Sequence, residues 1–201
     1  MANISYHASH NAAIVIEDKG EIIVVIEVER FLNSKNMGVC TYLSPTLIMG
    51  TLEEILQWVE KEYGIKEYDN CYFSNTDFSG EYFDRKSRIY NTLPLVPSKN
   101  NIHVDHHESH AYCTFYQSPY KKALVFSFDA GGDDGKFNIY LADREKGVER
   151  IGQLLNPIKN TPHEYYSLGF AYMIFGQYFK DIQLMDLTMG NLVYPGKIMG
   201  L

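Results

Sequence analysis

The chain has 201 residues, 45% of them hydrophobic, and a formal net charge of -7. This length and apolar content suffice for a hydrophobic core, and the acidic balance argues against a nucleic-acid partner, which normally requires clustered lysine and arginine. No apolar run exceeds strand length and no signal-peptide pattern is present, so the sequence predicts no membrane association. Three widely spaced cysteines, Cys40, Cys71 and Cys113, are typical of reduced thiols and a cytoplasmic protein.

Three strands joined by polar turns are predicted at the amino terminus, and together they form a meander. The strands are Ile4 to His7, Ala12 to Ile16, and Glu21 to Val28. The first turn carries Ser9 and Asn11 as hydrogen-bonding groups, and His7 and His10 as candidate acid, base or oxyanion-holding groups. Either histidine could equally be a surface turn residue. His7 is favoured because it ends a strand.

The best predicted helix has Ser44 as its N-cap, Pro45 as its first residue and Gly64 at its carboxyl-terminal stop. Apolar residues recur between these limits at helical spacing, which indicates a core face. A strand follows at Tyr68 to Phe73. The segment from Asp77 to Asn101 is polar and rich in aromatic residues, so it is either a solvated loop or the lining of an acceptor cleft.

The segment from Ile102 to Asp105 is predicted to be a short strand that leads into a helix with three histidines near its start. Asp105 is the expected N-cap, with Glu108 three residues later. The i, i+4 spacing places His106 and His110 on one helix face, where two imidazoles can share a metal ion. The alternative is a helix start with one core histidine and no metal.

A hairpin with a glycine-rich tip is predicted next. Its strands are Ala123 to Asp129 and Lys136 to Leu141, and residues 130–135 join them. Asp129 is the candidate carboxylate ligand, and the backbone N–H groups of the tip could hold a phosphate. An ordinary Asp-Gly turn is the alternative. A strand near Ile151 to Leu155 and a helix from Thr161 to Tyr178 complete the predicted elements.

These motifs resemble those of the O-carbamoyltransferases that act on antibiotics and nodulation factors. The matching segments are YHAS at 6–9, ERF at 29–31 with Lys35, HHESHA at 106–111, SP at 118–119, FDAGGDDG at 128–135, SLG at 167–169 and GKIMGL at 196–201. The HHxxHA motif followed by a D-G-G hairpin is specific, whereas the other segments are weak singly. Two positions depart from the family pattern, Ala8 and Asp133, where the family usually has Asp and Glu.

The resemblance implies an α/β fold of the actin-like, ribonuclease-H-like type, a mixed sheet flanked by helices that forms one lobe of a two-lobe domain. It is related to the catalytic subunit of the tRNA threonylcarbamoyl-adenosine synthase. The implied metal ligands are His106, His110 and Asp129, holding a divalent transition metal: iron, with manganese or zinc as alternatives. The phosphate and nucleotide contacts would come from Ser9, Gly131, Gly132 and Asp133.

The implied activity is transfer of a carbamoyl group from carbamoyl-adenylate, made from carbamoyl phosphate and ATP, to a hydroxyl of a small-molecule acceptor. His7 is the expected base, and His107 is a second catalytic candidate that could instead support the metal ligands or face away from them. Residues 1–201 would form the amino-terminal lobe, without the second lobe or the carbamoyl-adenylate-forming domain. We therefore expect the chain alone to be inactive and to self-associate, as in a homodimer. The rival hypotheses are an ATP-dependent kinase or ATPase of the same superfamily and a non-catalytic binding lobe.

Overall fold

The computed structural model describes residues 2–7, 11–33, 45–74, 95–132, 135–154, 175–176 and 178–179. The chain divides into two compact units, Met1–Val104 and Asp105–Leu201. Within the ranges just given, no helix is both long enough and apolar enough to cross a bilayer.

The first unit is built around a five-stranded mixed sheet. Its elements are β1 (Ala2–His7), β2 (Ala13–Asp18), β3 (Glu21–Glu27), α1 (Val28–Phe31), α2 (Pro45–Tyr63), β4 (Tyr68–Ser74) and β5 (Ser98–His103). The sheet order is β3-β2-β1-β4-β5; β1, β2 and β3 form an antiparallel meander, while β4 pairs in parallel with both β1 and β5. This mixed α/β arrangement confirms the predicted fold class.

One face of this sheet packs against α2. The alternation along β1 buries Ile4 and Tyr6 almost completely, and the helix contributes Leu52, Ile55 and Val59 to the same core. Burial of each aliphatic side chain of this kind stabilises the fold by about 1.5–3 kcal/mol. The apolar stripe predicted for this helix is therefore confirmed as core.

Several element boundaries in the first unit differ from the predicted ones. The last strand begins at Ser98 rather than at Ile102, and the short helix α1 was not predicted. Gly64 follows the last residue of α2 with a φ of +70°, as a carboxyl-terminal stop requires. The predicted cap Ser44 and residues 77–94 of the predicted insertion lie outside the described ranges.

The second unit contains one long helix and a three-stranded antiparallel sheet in its described part. The elements are α3 (His106–Gln117), β6 (Lys122–Gly132), β7 (Gly135–Asp143) and β8 (Gly147–Leu154), in the sheet order β6-β7-β8. The core residues of this unit are Ala111, Phe115, Val125, Tyr140 and Ala142. The last strand begins earlier than predicted, and the helix predicted at Thr161 to Tyr178 lies almost wholly outside the described ranges.

Asp143, at the end of β7, gives a pH-dependent prediction. Its carboxylate accepts a hydrogen bond from the backbone N–H of Glu145 at 2.8 Å and an ion pair from Lys122 Nζ at 3.0 Å, and these contacts lower its pKa. A lowered pKa stabilises the folded state above the ordinary value of about 4, and the contribution is lost as the pH falls through the folded-state pKa. Asp143→Asn should therefore lower the free energy of unfolding at neutral pH and have less effect near pH 2. Denaturant titration at both pH values tests this, and an equal loss at both would contradict it.

Candidate metal centre

The helix α3 begins at His106, as predicted, but the predicted capping bond does not form. Asp105 occupies the N-cap position with no side-chain bond to the helix. Its carboxylate instead accepts a hydrogen bond from Arg150 Nη1 at 3.3 Å. The strand β8 therefore holds the residue that immediately precedes the first histidine.

Three side chains converge at the start of this helix, two from α3 and one from β6. His106 Nε2 lies 3.0 Å from Asp129 Oδ2 and 3.2 Å from His110 Nε2, and His110 Nε2 lies 3.8 Å from the same carboxylate oxygen. The two imidazole rings are perpendicular, with centroids 4.6 Å apart, as expected for side chains one helical turn apart. The structure therefore brings together the three predicted ligands.

These distances agree with the spacing of ligand atoms around one metal ion. With metal–ligand distances of about 2.0–2.1 Å, neighbouring ligands in a tetrahedral site are about 3.3 Å apart. Two of the three separations lie close to this value, and rotation of the exposed His110 side chain can shorten the third. The donor set of two imidazoles and one carboxylate is one that iron and zinc bind in proteins.

The hydrogen-bonding capacity of this cluster would also accommodate a cation. A neutral His106 ring that carries its proton on Nε2 can donate it to Asp129 or to His110, but not fully to both. A metal ion would satisfy the lone pairs of all three atoms. We therefore describe the three residues as a group that could hold a metal.

The cluster is buried on one side and exposed on the other. The His106 side chain is 7% exposed, whereas Asp129 and His110 are 40% and 55% exposed. Catalytic metal sites keep a coordination position open to water or a substrate, and the exposed side of this cluster would allow such a position if an ion were bound.

The third histidine of the segment, His107, points elsewhere. It is completely buried, with Nδ1 2.7 Å from Ser127 Oγ and Nε2 2.9 Å from the carbonyl oxygen of Gly135. Because a carbonyl can only accept, Nε2 donates its proton to Gly135, and in the neutral ring Nδ1 accepts the hydroxyl proton of Ser127. Both ring nitrogens therefore have partners in the hairpin.

The glycine-rich hairpin is the least regular part of the second sheet. Gly131 and Gly132 belong to the end of β6, and Gly132 pairs with Gly135 at the start of β7. Asp133, the residue predicted to replace the family's glutamate, lies outside the described ranges. The phosphate contacts of Gly131, Gly132 and Asp133 stay a prediction.

Of the residues predicted in the first turn, His7 and Asn11 are described, and Asn11 has a φ of 56°. His7 ends β1, and its Nδ1 lies 3.0 Å from Ser74 Oγ on the neighbouring strand β4. Ser9 and His10 lie outside the described ranges. The catalytic role of His7 also stays a prediction.

Sequence reasoning missed two residues that contact the start of the helix beside the cluster, Ser127 and Arg150. A signal for Ser127 was available, because it is the one hydroxyl within the apolar strand sequence ALVFSFD and falls on the same strand face as Asp129. A polar residue at such a buried position normally has a specific partner. For Arg150 there was no signal, since nothing in the sequence indicates which strand reaches Asp105.

No protein-family model matches the chain. A relative described as uncharacterized protein MJ1051, from Methanocaldococcus jannaschii, is 26% identical over 144 residues, which are 72% of this chain and 25% of that protein. The chain thus spans about a quarter of the length of this relative.

The chain is also similar in structure to solved proteins, including the following two. The type II variant of the Aquifex aeolicus Ppx/GppA phosphatase is 15% identical, with 75% of this chain and 51% of that chain covered and a TM-score of 0.42. YeaZ from Pseudomonas aeruginosa is 9% identical, with 99% and 92% covered and a TM-score of 0.44. Because these identities and TM-scores are low, the two structures do not indicate the activity of this chain. The fold class is assigned from the strand order of the sheet.

Proposed function

We propose that this chain carries the metal centre of a metal-dependent transferase that moves a carbamoyl group from carbamoyl-adenylate to a hydroxyl of a small-molecule acceptor. The observation that supports this proposal is the convergence of His106, His110 and Asp129, whose nearest ring nitrogens and carboxylate oxygen lie 3.0–3.8 Å from one another at the start of α3. The choice of a carbamoyl group comes from the resemblance of the HHESHA and FDAGGDDG segments.

The donor set favours a transition metal over magnesium. Magnesium prefers oxygen ligands and usually retains several waters, whereas two of the three donors here are imidazole nitrogens. A two-histidine, one-carboxylate set with open positions suits iron, and zinc and manganese are the alternatives. For a kinase or ATPase that uses magnesium, the His106 and His110 pair would serve no purpose.

The proposed reaction needs three contributions. A bound metal would polarise the carbamoyl oxygen and so stabilise the charge that develops in the transition state. The acceptor oxygen forms a bond to the carbamoyl carbon, the bond from that carbon to the adenylate phosphate oxygen breaks, and AMP leaves. His7 is the proposed base for the acceptor proton, and backbone N–H groups of residues 130–135 are the proposed phosphate contacts.

The test measures whether a carbamoyl carbonyl approaches the metal. We expect cobalt(II) bound to the full chain to accelerate the 13C relaxation of a labelled, non-reactive carbamoyl-adenylate analogue. The effect should disappear in Asp129→Asn and persist in His103→Ala, a control that removes an exposed histidine of the first unit. The measurement needs no turnover, so it does not depend on whether the chain alone is active.

Two results would contradict the proposal. The first is a wild-type protein that holds cobalt(II) but has no effect on the analogue. The second is binding of magnesium–ATP with equal affinity in wild type and His106→Ala, without any transition-metal binding. That second result would favour the kinase or ATPase hypothesis.

A further inference from the structure

The carboxylate ligand of the cluster lies where the pairing of its strand is interrupted. The strands β6 and β7 pair regularly as far as Phe128 and Phe137, and pair again at Gly132 and Gly135. Between these points β6 contributes residues 129–131 and β7 contributes residue 136 alone, so β6 carries two extra residues. Asp129 is the first residue of this bulge.

A bulge changes the direction of side chains and removes ladder hydrogen bonds, and bulges are frequent next to active sites. Regular strand pairing therefore cannot by itself fix the position of Asp129. Another contact must hold the two strands in register where the ladder is interrupted, because metal ligands need to be placed within a few tenths of an ångström.

His107 provides this contact. Its Nδ1 is bonded to Ser127, two residues before Asp129 on β6, and its Nε2 is bonded to the carbonyl oxygen of Gly135, on β7 beyond the bulge. One buried imidazole thus spans the interruption, with distances of 2.7 and 2.9 Å to its two sides. The ring is fully buried, so water does not compete for either bond.

The first turn of α3 carries both His106, a proposed metal ligand, and His107, whose ring spans the bulge. His106 contacts Asp129 and His107 contacts Ser127, two residues earlier on β6, so both strand residues face the helix. The first turn of α3 therefore contacts two successive inward positions of the strand. Any shift of Ser127 or Gly135 relative to the helix would move Asp129 away from His106 and His110.

We infer that His107 is a positioning residue, which spans the β6–β7 bulge and sets the distance from Asp129 to the two histidine ligands. This inference rests on the proposed metal centre, and of the roles expected for His107 from the sequence it favours support of the metal ligands over catalysis. Partners that orient metal ligands typically contribute ten- to a hundredfold, in order of magnitude, to metal affinity.

The experiment titrates the full chain with cobalt(II) and records stoichiometry, dissociation constant and ligand-field spectrum. Ser127→Ala removes only the hydroxyl partner, His107→Leu removes both bonds, and His107→Gln keeps an amide donor for the Gly135 carbonyl. We expect Ser127→Ala and His107→Leu to weaken binding by roughly ten- to a hundredfold at unchanged one-to-one stoichiometry, with an altered spectrum. His107→Gln should recover part of the loss.

Val125→Ala is the matched control, since Val125 is a buried residue on the same face of the same strand, two positions before Ser127. It should lower the melting temperature and leave the cobalt dissociation constant and spectrum unchanged. If His107→Leu does not fold, the cobalt dissociation constants and spectra of Ser127→Ala and His107→Gln test the inference.

Two outcomes overturn the inference, and a third concerns the metal centre. Wild-type affinity and spectrum in folded Ser127→Ala and His107→Leu would show that the bridge does not position Asp129. An equal loss of affinity in Val125→Ala would show that the effect reflects general stability. Absence of cobalt binding in the wild type would instead overturn the proposed metal centre itself.

Discussion

Replacement of His106 or His110 by alanine is expected to abolish stoichiometric transition-metal binding while the chain stays folded. Each substitution removes one of three converging ligand atoms, so the loss should exceed the roughly hundredfold effect of removing a supporting residue. Calorimetric titration with zinc measures the loss of affinity in each variant, and circular dichroism checks that the variant is folded. Asp129→Asn should also weaken binding, because the amide lacks the carboxylate charge.

His107→Ala is the informative comparison on the same helix turn. It removes an imidazole that bonds to Ser127 and Gly135 instead of pointing at the cluster, so its effect should be much smaller than that of either ligand substitution. Equal loss of metal in all three histidine variants would contradict the assignment of His106 and His110 as the ligand pair. A looser histidine cluster would then describe the segment better.

Phe115→Ala is expected to give the largest loss of stability in the second unit, about 3–5 kcal/mol in the free energy of unfolding. The ring lies in the last turn of α3, is 1% exposed and belongs to the core that joins the helix to the sheet. The Arg144 guanidinium also lies 5.6 Å from the centre of this ring. Removal of the Phe115 ring leaves a cavity between α3 and the strands.

Tyr112→Ala on the same helix is the control, because this side chain is 38% exposed. We expect it to cost much less than Phe115→Ala in denaturant titrations. Similar costs for the two substitutions would show that α3 does not pack against β6–β8 through the face that carries Phe115.

The sequence predicted the elements whose burial follows a simple periodicity. The stripe of Leu52, Ile55 and Val59 has helical spacing, and the alternation in β1 has the period of a strand, so both elements were identifiable from one-dimensional patterns. The proximity of His106 and His110 was predictable for the same reason, since their i, i+4 spacing fixes their common face.

The strand β5 was missed in part because its stabilising contacts are polar. Its sequence SKNNIH has no apolar alternation. Asn100 Nδ2 donates to Asn70 Oδ1 at 3.1 Å, and Asn70 Nδ2 donates to Asn3 Oδ1 at 2.9 Å, so a row of side-chain amides crosses three strands. Hydrophobic periodicity cannot detect an element held in this way.

The contacts around the proposed metal centre were not predictable either. The bulge after Phe128 depends on the register between two strands, and the bond from Arg150 to Asp105 depends on which strand packs near the helix start. Both are tertiary features that leave no local pattern. The Asp105 cap illustrates the same point, since its carboxylate bonds to Arg150 and not to the helix backbone.

The most direct test of the central claim is elemental analysis, with native mass spectrometry, of the full chain purified without added metal. We expect about one transition-metal ion per chain, with iron the leading candidate, and its loss in the His106→Ala variant. A wild-type chain that contains no transition metal and does not bind added iron(II), zinc(II) or manganese(II) would contradict the claim that His106, His110 and Asp129 form a metal centre.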